Sequence, residues 1–290
     1  MARALLARID PLPRAGTPQR WASLPGCAPG LAIAELAAAG HPLLVVTGNL
    51  AQAETLEAQL RFFTGGTLPV DVFPDLEILP YDSFSPHQDL VSARLRILRE
   101  LRQRRSGVLV TAATTLLPRL APVSYLERHT VRIATGDALT LERFQANLDQ
   151  AGYARVGLVS VPGDYAVRGS LVDFFPTGHA LPVRVDFLDD GIDSIRTFDP
   201  DTQLSGDPLA ALDTLPAREL PNDTESIRQF RQRYRRRFEG NPAESVIYRE
   251  VSERRRPAGV EAVLLHLAHV EPTGLRPGII DLIRIGASQR

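Results

Sequence analysis

Three short apolar runs punctuate the first part of the chain: LLVVT at Leu43 to Thr47, VDVF at Val70 to Phe73 and GVLVT at Gly107 to Thr111. Nearly continuous apolar runs of this length suit strands buried on both faces, which belong to a parallel sheet crossed by helices rather than to a half-solvated hairpin. The intervening sequence supplies those helices. Leu31 to Ala39 is alanine-rich and broken by His41-Pro42, Asn49 to Arg61 reads as a second helix, and Leu90 to Arg105 as an amphipathic third; Thr111 to Leu120 begins another. Strands alternating with helices over the first ~125 residues predict an α/β layer of RecA or Rossmann type.

A layer of that type would bind nucleotide through a glycine loop near its start, and LPGCAPGL at Leu24 to Leu31 stands in that place. A GxxxxGK[ST] loop cradles phosphate with backbone N–H groups, while its Lys and Ser/Thr serve the β/γ-phosphates and Mg²⁺. Here Gly26 and Gly30 are one residue too close, Leu31 and Ala32 follow, and all 33 basic residues are arginine. The loop is degenerate, so neither a bound cofactor nor ATP hydrolysis by that mechanism is expected.

A chain of 290 residues with 44% hydrophobic content can support two domains. A net charge of −1 argues against a surface that is one continuous nucleic-acid footprint. The single cysteine, Cys27, excludes an internal disulfide framework and is expected to be a buried, inert thiol in a reducing compartment. No apolar run reaches the ~18 residues of a membrane span, and the start MARALLARIDPLPRAG lacks a sustained apolar core, so a cytoplasmic protein with no membrane partner is expected. His87, His129, His179, His266 and His269 show no metal-binding spacing, and Asp75, Glu77 and Asp89 lie near no nucleophile and base that would form a catalytic set. Tyr81 and Phe84 are expected to anchor their loop by packing.

From about Thr130 the pattern changes. Thr140 to Gly152 reads as a helix with Leu139, Leu141, Phe144 and Leu148 as its apolar stripe and Gly152 as its C-cap. Strands are then expected at Leu158 to Pro162, Tyr165 to Phe175, Leu181 to Leu188 and Ile192 to Phe198, separated by the turn sequences PGD, PTGH and DDG. Past Pro216 a helix returns, with Asp223 as N-cap and Ile227, Phe230, Tyr234 and Phe238 buried. In PVRVDFLDD, Val183, Val185 and Phe187 alternate with Arg184, Asp186 and Leu188, giving one apolar and one charged face. A three-residue loop Asp189-Asp190-Gly191 with Gly191 left-handed would set Arg184 opposite Arg196 and Leu188 opposite Ile192, whereas a two-residue loop would shift that register by one. Facing arginines call for an anion or a carboxylate, and Arg168 is placed to join them.

FPDLEILPYDSFSPHQDLVSARLRIL at Phe73 to Leu98, GVLVTAATTLLPRLAP, GDYAVRGSLVDFFPTG, PVRVDFLDDGIDSIRTFD and PAGVE at Pro257 to Glu261 resemble, in this order, the N-terminal region of the bacterial transcription-repair coupling factors. The likeness runs from about Trp21 to Glu261. It implies a UvrB-like architecture: an extension over 1–20, a degenerate helicase-like α/β domain over 21–129, an inserted α+β domain over 130–216 that binds UvrA, a helical segment over 217–261 returning to the first domain, and a divergent tail over 262–290. In full-length members, as the resemblance implies, RNA polymerase, duplex DNA, ATP and Mg²⁺ are handled by other domains with no counterpart in these 290 residues. A non-catalytic module that recruits UvrA is therefore expected.

The residues alone leave Arg168, Arg184 and Arg196 as a solvated sheet face with local partners, where an ion pair is worth ~0–1 kcal/mol. The resemblance instead implies that they meet UvrA, with Leu188 and Asp186 as lesser contributors. The arginine clusters from Arg94 to Arg105 and from Arg231 to Arg237 read as solvated helix faces. A different function, a subunit of an ATP-driven helicase or nuclease sharing an active site with another chain, is opposed by the missing lysine. Beyond Glu261 the likeness stops, and Ala262 to Arg290 is expected to be an out-of-frame or diverged tail that contributes little to packing.

Overall fold

The computed structural model describes residues 24–78, 84–101, 103–117, 120–121, 123–219 and 224–253. Tyr81, Arg102, Asp223, His266, His269, the PAGVE segment and the tail lie outside them. The described chain is mixed α/β and divides into two units, one from residues up to 75 together with 101–117, the other from 76–100 and from 118 onward.

In the first unit, helix α1 (Ala28–Ala38) precedes strand β1 (Leu43–Thr47), helix α2 (Leu50–Thr64), strand β2 (Val70–Val72) and, after an excursion into the second unit, strand β3 (Val108–Ala112). The three strands are parallel in the order β1-β3-β2. Asn49 starts α2 by accepting the Gln52 N–H at 2.9 Å, and Gly65 ends it at φ 57°, so both ends are fixed by local chemistry. Val45, Val70, Val108 and Val110 pack with Ala34, Ala37, Ala53 and Leu60. Only β3 is buried throughout; β1 is half-exposed, with Val46 47% accessible, so LLVVT is not the doubly covered strand its composition suggests. The apolar rule selects the central strand and overstates the burial of its neighbour.

The second unit begins earlier than residue 130. Helix α3 (Gln88–Leu101) belongs to it because its inner face is tied there: Arg94, fully buried, is paired with Glu219, and the Ser92 hydroxyl accepts the Gly178 N–H at 2.8 Å. Arg94 is thus no part of a solvated face. The helix foreseen at Thr111 to Leu120 is one 3-10 turn over Thr114–Leu116, and helix α4 (Val123–His129) follows. Strand β4 (Val131–Ala134) leads to helix α5 (Leu141–Ala151), capped by the Thr140 hydroxyl on Arg143 N–H and by left-handed Gly152 at φ 88°.

A six-stranded sheet follows, built from β5 (Ala154–Arg155), β6 (Asp164–Arg168), β7 (Leu171–Phe174), β8 (Val183–Leu188), β9 (Gly191–Phe198) and β10 (Ser205–Pro208) in the order β10-β9-β8-β7-β6-β5. It is antiparallel except for the β5–β6 pair, and β11 (Ala211–Thr214) pairs separately with β4. Leu158 to Pro162 is loop, and the expected single strand Tyr165 to Phe175 is a hairpin folded at Gly169, which takes φ 63°. One sheet face carries Tyr165, Val172, Phe174, Val183, Val185, Phe187, Ile192 and Ile195 against Phe144 and Leu148 of α5. The Phe144 and Phe174 rings meet edge to face at 5.4 Å, a geometry that aromatic quadrupoles favour.

Helix α6 (Thr224–Arg237) and helix α7 (Val246–Ser252) close the described chain. Ile227 and Phe230 are buried as expected; Phe238 falls beyond the helix and is 46% exposed. Phe84, at 55% exposure, does not anchor its loop, and Cys27 is exposed at the N-terminal boundary of α1 rather than buried. Among the described residues no helix is long and apolar enough to cross a membrane.

Candidate functional site

The strand pairings assemble the predicted arginines on the sheet face opposite α5. Along one row, β6 Ala166, β7 Asp173, β8 Arg184 and β9 Arg196 are direct neighbours; along the next, Arg168, Leu171, Asp186 and Ser194 are. Arg184 therefore stands opposite Arg196 as expected, but the turn that brings it there is different. Asp189-Asp190 is a two-residue loop, Asp189 takes the left-handed conformation at φ 52°, and Leu188 pairs with Gly191 rather than Ile192. The register then slips between Asp186 and Phe187, leaving Asp193 as an extra residue on β9. This bulge absorbs the shift that the shorter loop would otherwise impose.

Asp173 is the anion that the facing arginines require. Its carboxylate, 2% exposed, accepts the Arg184 Nε–H at 2.7 Å and Nη2–H at 2.9 Å, and Arg168 Nη1 lies 3.9 Å away. A bidentate, charge-assisted pair of this kind fixes the guanidinium plane as well as its charge. Arg184 also donates to Ser205 Oγ at 3.2 Å and sits 5.0 Å over the Phe198 ring, itself buried with Val159, Ala166 and Phe175. The hydrogen bonds accepted by Asp173 hold the Arg184 pKa above its ordinary value.

The three arginines are therefore unequal. Arg184 is built into the sheet. Arg168 is half-exposed and donates to the Gly157 carbonyl at 3.3 Å, and Arg196 is exposed with no ion pair among the described residues. Leu188 projects at the hairpin end, 65% exposed, while Asp186 accepts from Ser170 Oγ at 3.1 Å. The two carboxylates of this face, Asp173 and Asp186, do not balance its three guanidinium groups, and Arg168 and Arg196 stay accessible beside the exposed Leu188. That combination suits docking of an acidic, partly apolar protein surface, because arginine and an apolar neighbour bury together well.

The sequence conceals the role of Asp173 because Tyr165 to Phe175 reads as one strand, which hides the β6–β7 turn and with it the β7–β8 register. Its signal was present: in LVDFF the outward Asp173 alternates with inward Val172 and Phe174.

The degenerate glycine loop finds another use. Gly30 lies within α1, buried, and a Cβ there would come within 2.7 Å of the Gln59 Cβ on α2. Its missing side chain allows two helices to approach, and neither it nor Gly26, at φ 57°, has a lysine beside it to hold phosphate. Among the described residues no three His, Cys, Asp or Glu side chains gather as metal ligands would.

Residues 131–220 match the family described as the UvrB interaction domain, an interval that begins at β4 and contains the whole arginine face. The chain is 41% identical over 240 residues to the transcription-repair-coupling factor of Haemophilus influenzae, covering 82% of this chain and 21% of that protein. It is 40% identical over 249 residues to the same factor of Escherichia coli, covering 86% and 22%, and 36% identical over 224 residues to that of Myxococcus xanthus, covering 73% and 18%. The chain thus spans about a fifth of the length of these curated relatives.

Proposed function

Given that the chain belongs to the transcription-repair-coupling factor family, we propose that it is a non-catalytic docking module that recruits UvrA to stalled transcription complexes in nucleotide excision repair. The observation that carries this reading is the coincidence of the matched interaction domain with the arginine face of β6 to β9. Arg196 and Arg168 are the charges available to a partner, Leu188 the apolar contact, and Arg184 the fixed element that sets their spacing. Displacement of RNA polymerase and ATP-driven movement on DNA are assigned to other parts of the full-length relatives.

The test is calorimetric titration of the purified chain with UvrA, repeated with Arg196→Glu and Arg168→Glu. Removing one partner of a desolvated interface charge pair costs ~2–5 kcal/mol, and removing a rim charge much less. Arg196→Glu is expected to weaken binding at least tenfold with circular dichroism unchanged. Parental affinity in both variants would remove this face from the interface.

A further inference from the structure

The two arginine clusters that look alike in sequence are treated in opposite ways by the fold. Around α3 the arginines meet carboxylates: Arg94 with Glu219, Arg96 with Glu100 at 3.0 Å, Arg99 with Asp213 at 3.8 Å, and, beyond the helix, Arg104 with Asp71. On α6, Arg231 and Arg235 meet neutral groups. Arg231 donates from Nε to Ser252 Oγ at 2.9 Å and from Nη2 to the Ser252 carbonyl at 3.0 Å, and Arg235 donates from Nε to the Tyr248 hydroxyl at 3.0 Å. Neutral acceptors orient a guanidinium without cancelling its charge. Among the described residues Arg231, Arg235 and Arg236 form no ion pair with a carboxylate.

These side chains line a groove of about 720 Å³ between α6 and α7, together with Arg228, Gln232 and Ser252. Arg231 lies at the middle of α6, more than a turn from its C-terminal end, where the helix dipole gives a cation little benefit, so helix stability does not account for it. From Arg231 to Arg236 the axis advances about 7.5 Å at 1.5 Å per residue, a span of about two nucleotides at ~3.4 Å rise per strand.

We propose that this groove binds the phosphate backbone of duplex nucleic acid, without reading sequence. Oriented, uncompensated guanidinium groups on one helix face are what phosphate positioning needs. Among the described residues no aromatic side chain lines the groove, and binding of a single strand relies on aromatic stacking platforms, so the duplex backbone is the better fit. The site is separate from the arginine face of β6 to β9 and does not depend on the docking role proposed for that face.

The test is fluorescence anisotropy of the full chain with a labelled 30-base-pair duplex between 50 and 200 mM NaCl. Three phosphate contacts at a log–log slope of about −0.9 each predict a loss of affinity of roughly 40-fold over that range. The double variant Arg231→Gln, Arg235→Gln removes two contacts and should reduce the loss to roughly 3.5-fold. Arg236→Gln, which breaks no hydrogen bond among the described residues, should reduce it to roughly 12-fold and carries the test if the double variant does not fold. Absent binding at 50 mM, or a salt slope unchanged in Arg236→Gln, would overturn the proposal. So would displacement of the duplex by polyglutamate as effective as by unlabelled duplex, which would assign the groove to an acidic protein segment.

Discussion

Asp173→Asn is the sharpest probe of the arginine face, because it removes one charge and almost no volume. Asn retains an oxygen for the Arg184 Nε–H, but its amide N–H groups then oppose Nη2, which now donates to the second carboxylate oxygen at 2.9 Å. Breaking a fully buried pair costs ~3–5 kcal/mol, and a hydrogen bond to a charged group contributes ~1.5–3 kcal/mol. The Arg184 side chain is 19% exposed, so water relieves part of the penalty and the lower range applies. A loss of about 2–3 kcal/mol is expected, or about 4–12 °C in melting temperature at ~2–4 °C per kcal/mol. The assay is a double-mutant cycle with Arg184→Gln followed by urea denaturation. A coupling energy of ~1.5–3 kcal/mol is expected, against the ~0.2–1 kcal/mol of exposed pairs. Coupling below ~0.5 kcal/mol would show that Asp173 and Arg184 merely touch at a solvated surface and that the face lacks a fixed element.

Three further outcomes follow from the packing. Gly107→Ala places a Cβ 2.3 Å from the Pro69 carbonyl oxygen at φ 92° and should cost at least ~2 kcal/mol in denaturant midpoint shifts; a neutral result would mean the β2–β3 start relaxes freely. Arg94→Met should cost ~3–5 kcal/mol by leaving the Glu219 carboxylate buried and unpaired, and adding Glu219→Leu should recover most of it, whereas additive losses in thermal melts would mean that the pair is not energetically coupled. Burial pushes the Tyr153 hydroxyl up to about 12 from 10.0, so the folded state holds that proton more tightly than the unfolded chain. Its contribution, about 2–3 kcal/mol at 1.36 kcal/mol per unit, is full below pH 10 and is lost as pH rises towards 12. Tyr153→Phe should therefore be less stable at pH 7, having lost its bonds with Leu215 and Thr177, yet decline less between pH 10 and 12; a decline as steep as the parent's would place the alkaline sensitivity elsewhere.

Where a feature is fixed by residues close in sequence, it was readable. Asn49 and Thr140 start their helices by accepting an N–H three residues ahead, and Gly152 ends α5 in a conformation that disfavours a Cβ. Strand β1 falls where LLVVT predicts it, because five apolar residues between turns leave few alternatives. Strand β10, SGDP, was not readable: glycine, aspartate and proline are poor strand formers, and the segment is extended because β9 supplies a partner. The early start of the second unit was hidden for the same kind of reason. Nothing within Leu90 to Arg105 indicates that Arg94 will meet a glutamate 125 residues away.

The site divides along the same line. Arg184 opposite Arg196 was anticipated from alternation, and the pairing holds although the loop assumed for it does not, since a bulge at Asp193 compensates for a turn one residue shorter. The shorter loop and the bulge offset each other because the apolar residues Val183, Val185, Ile192 and Ile195 must all face α5, and any register that turned them outward would forfeit the core. Burial of one face thus constrained the charged residues on the other. What alternation does not convey is which charge is matched. Arg184, Arg196, Arg94 and Arg231 are the same side chain on amphipathic elements, yet one is clamped by Asp173, one is open, one is buried on Glu219, and one is oriented by Ser252 with its charge intact. The discriminating residue is in each paired case on another element, and so the partner-binding potential of an arginine becomes visible only with the register and packing that bring, or fail to bring, a carboxylate to it.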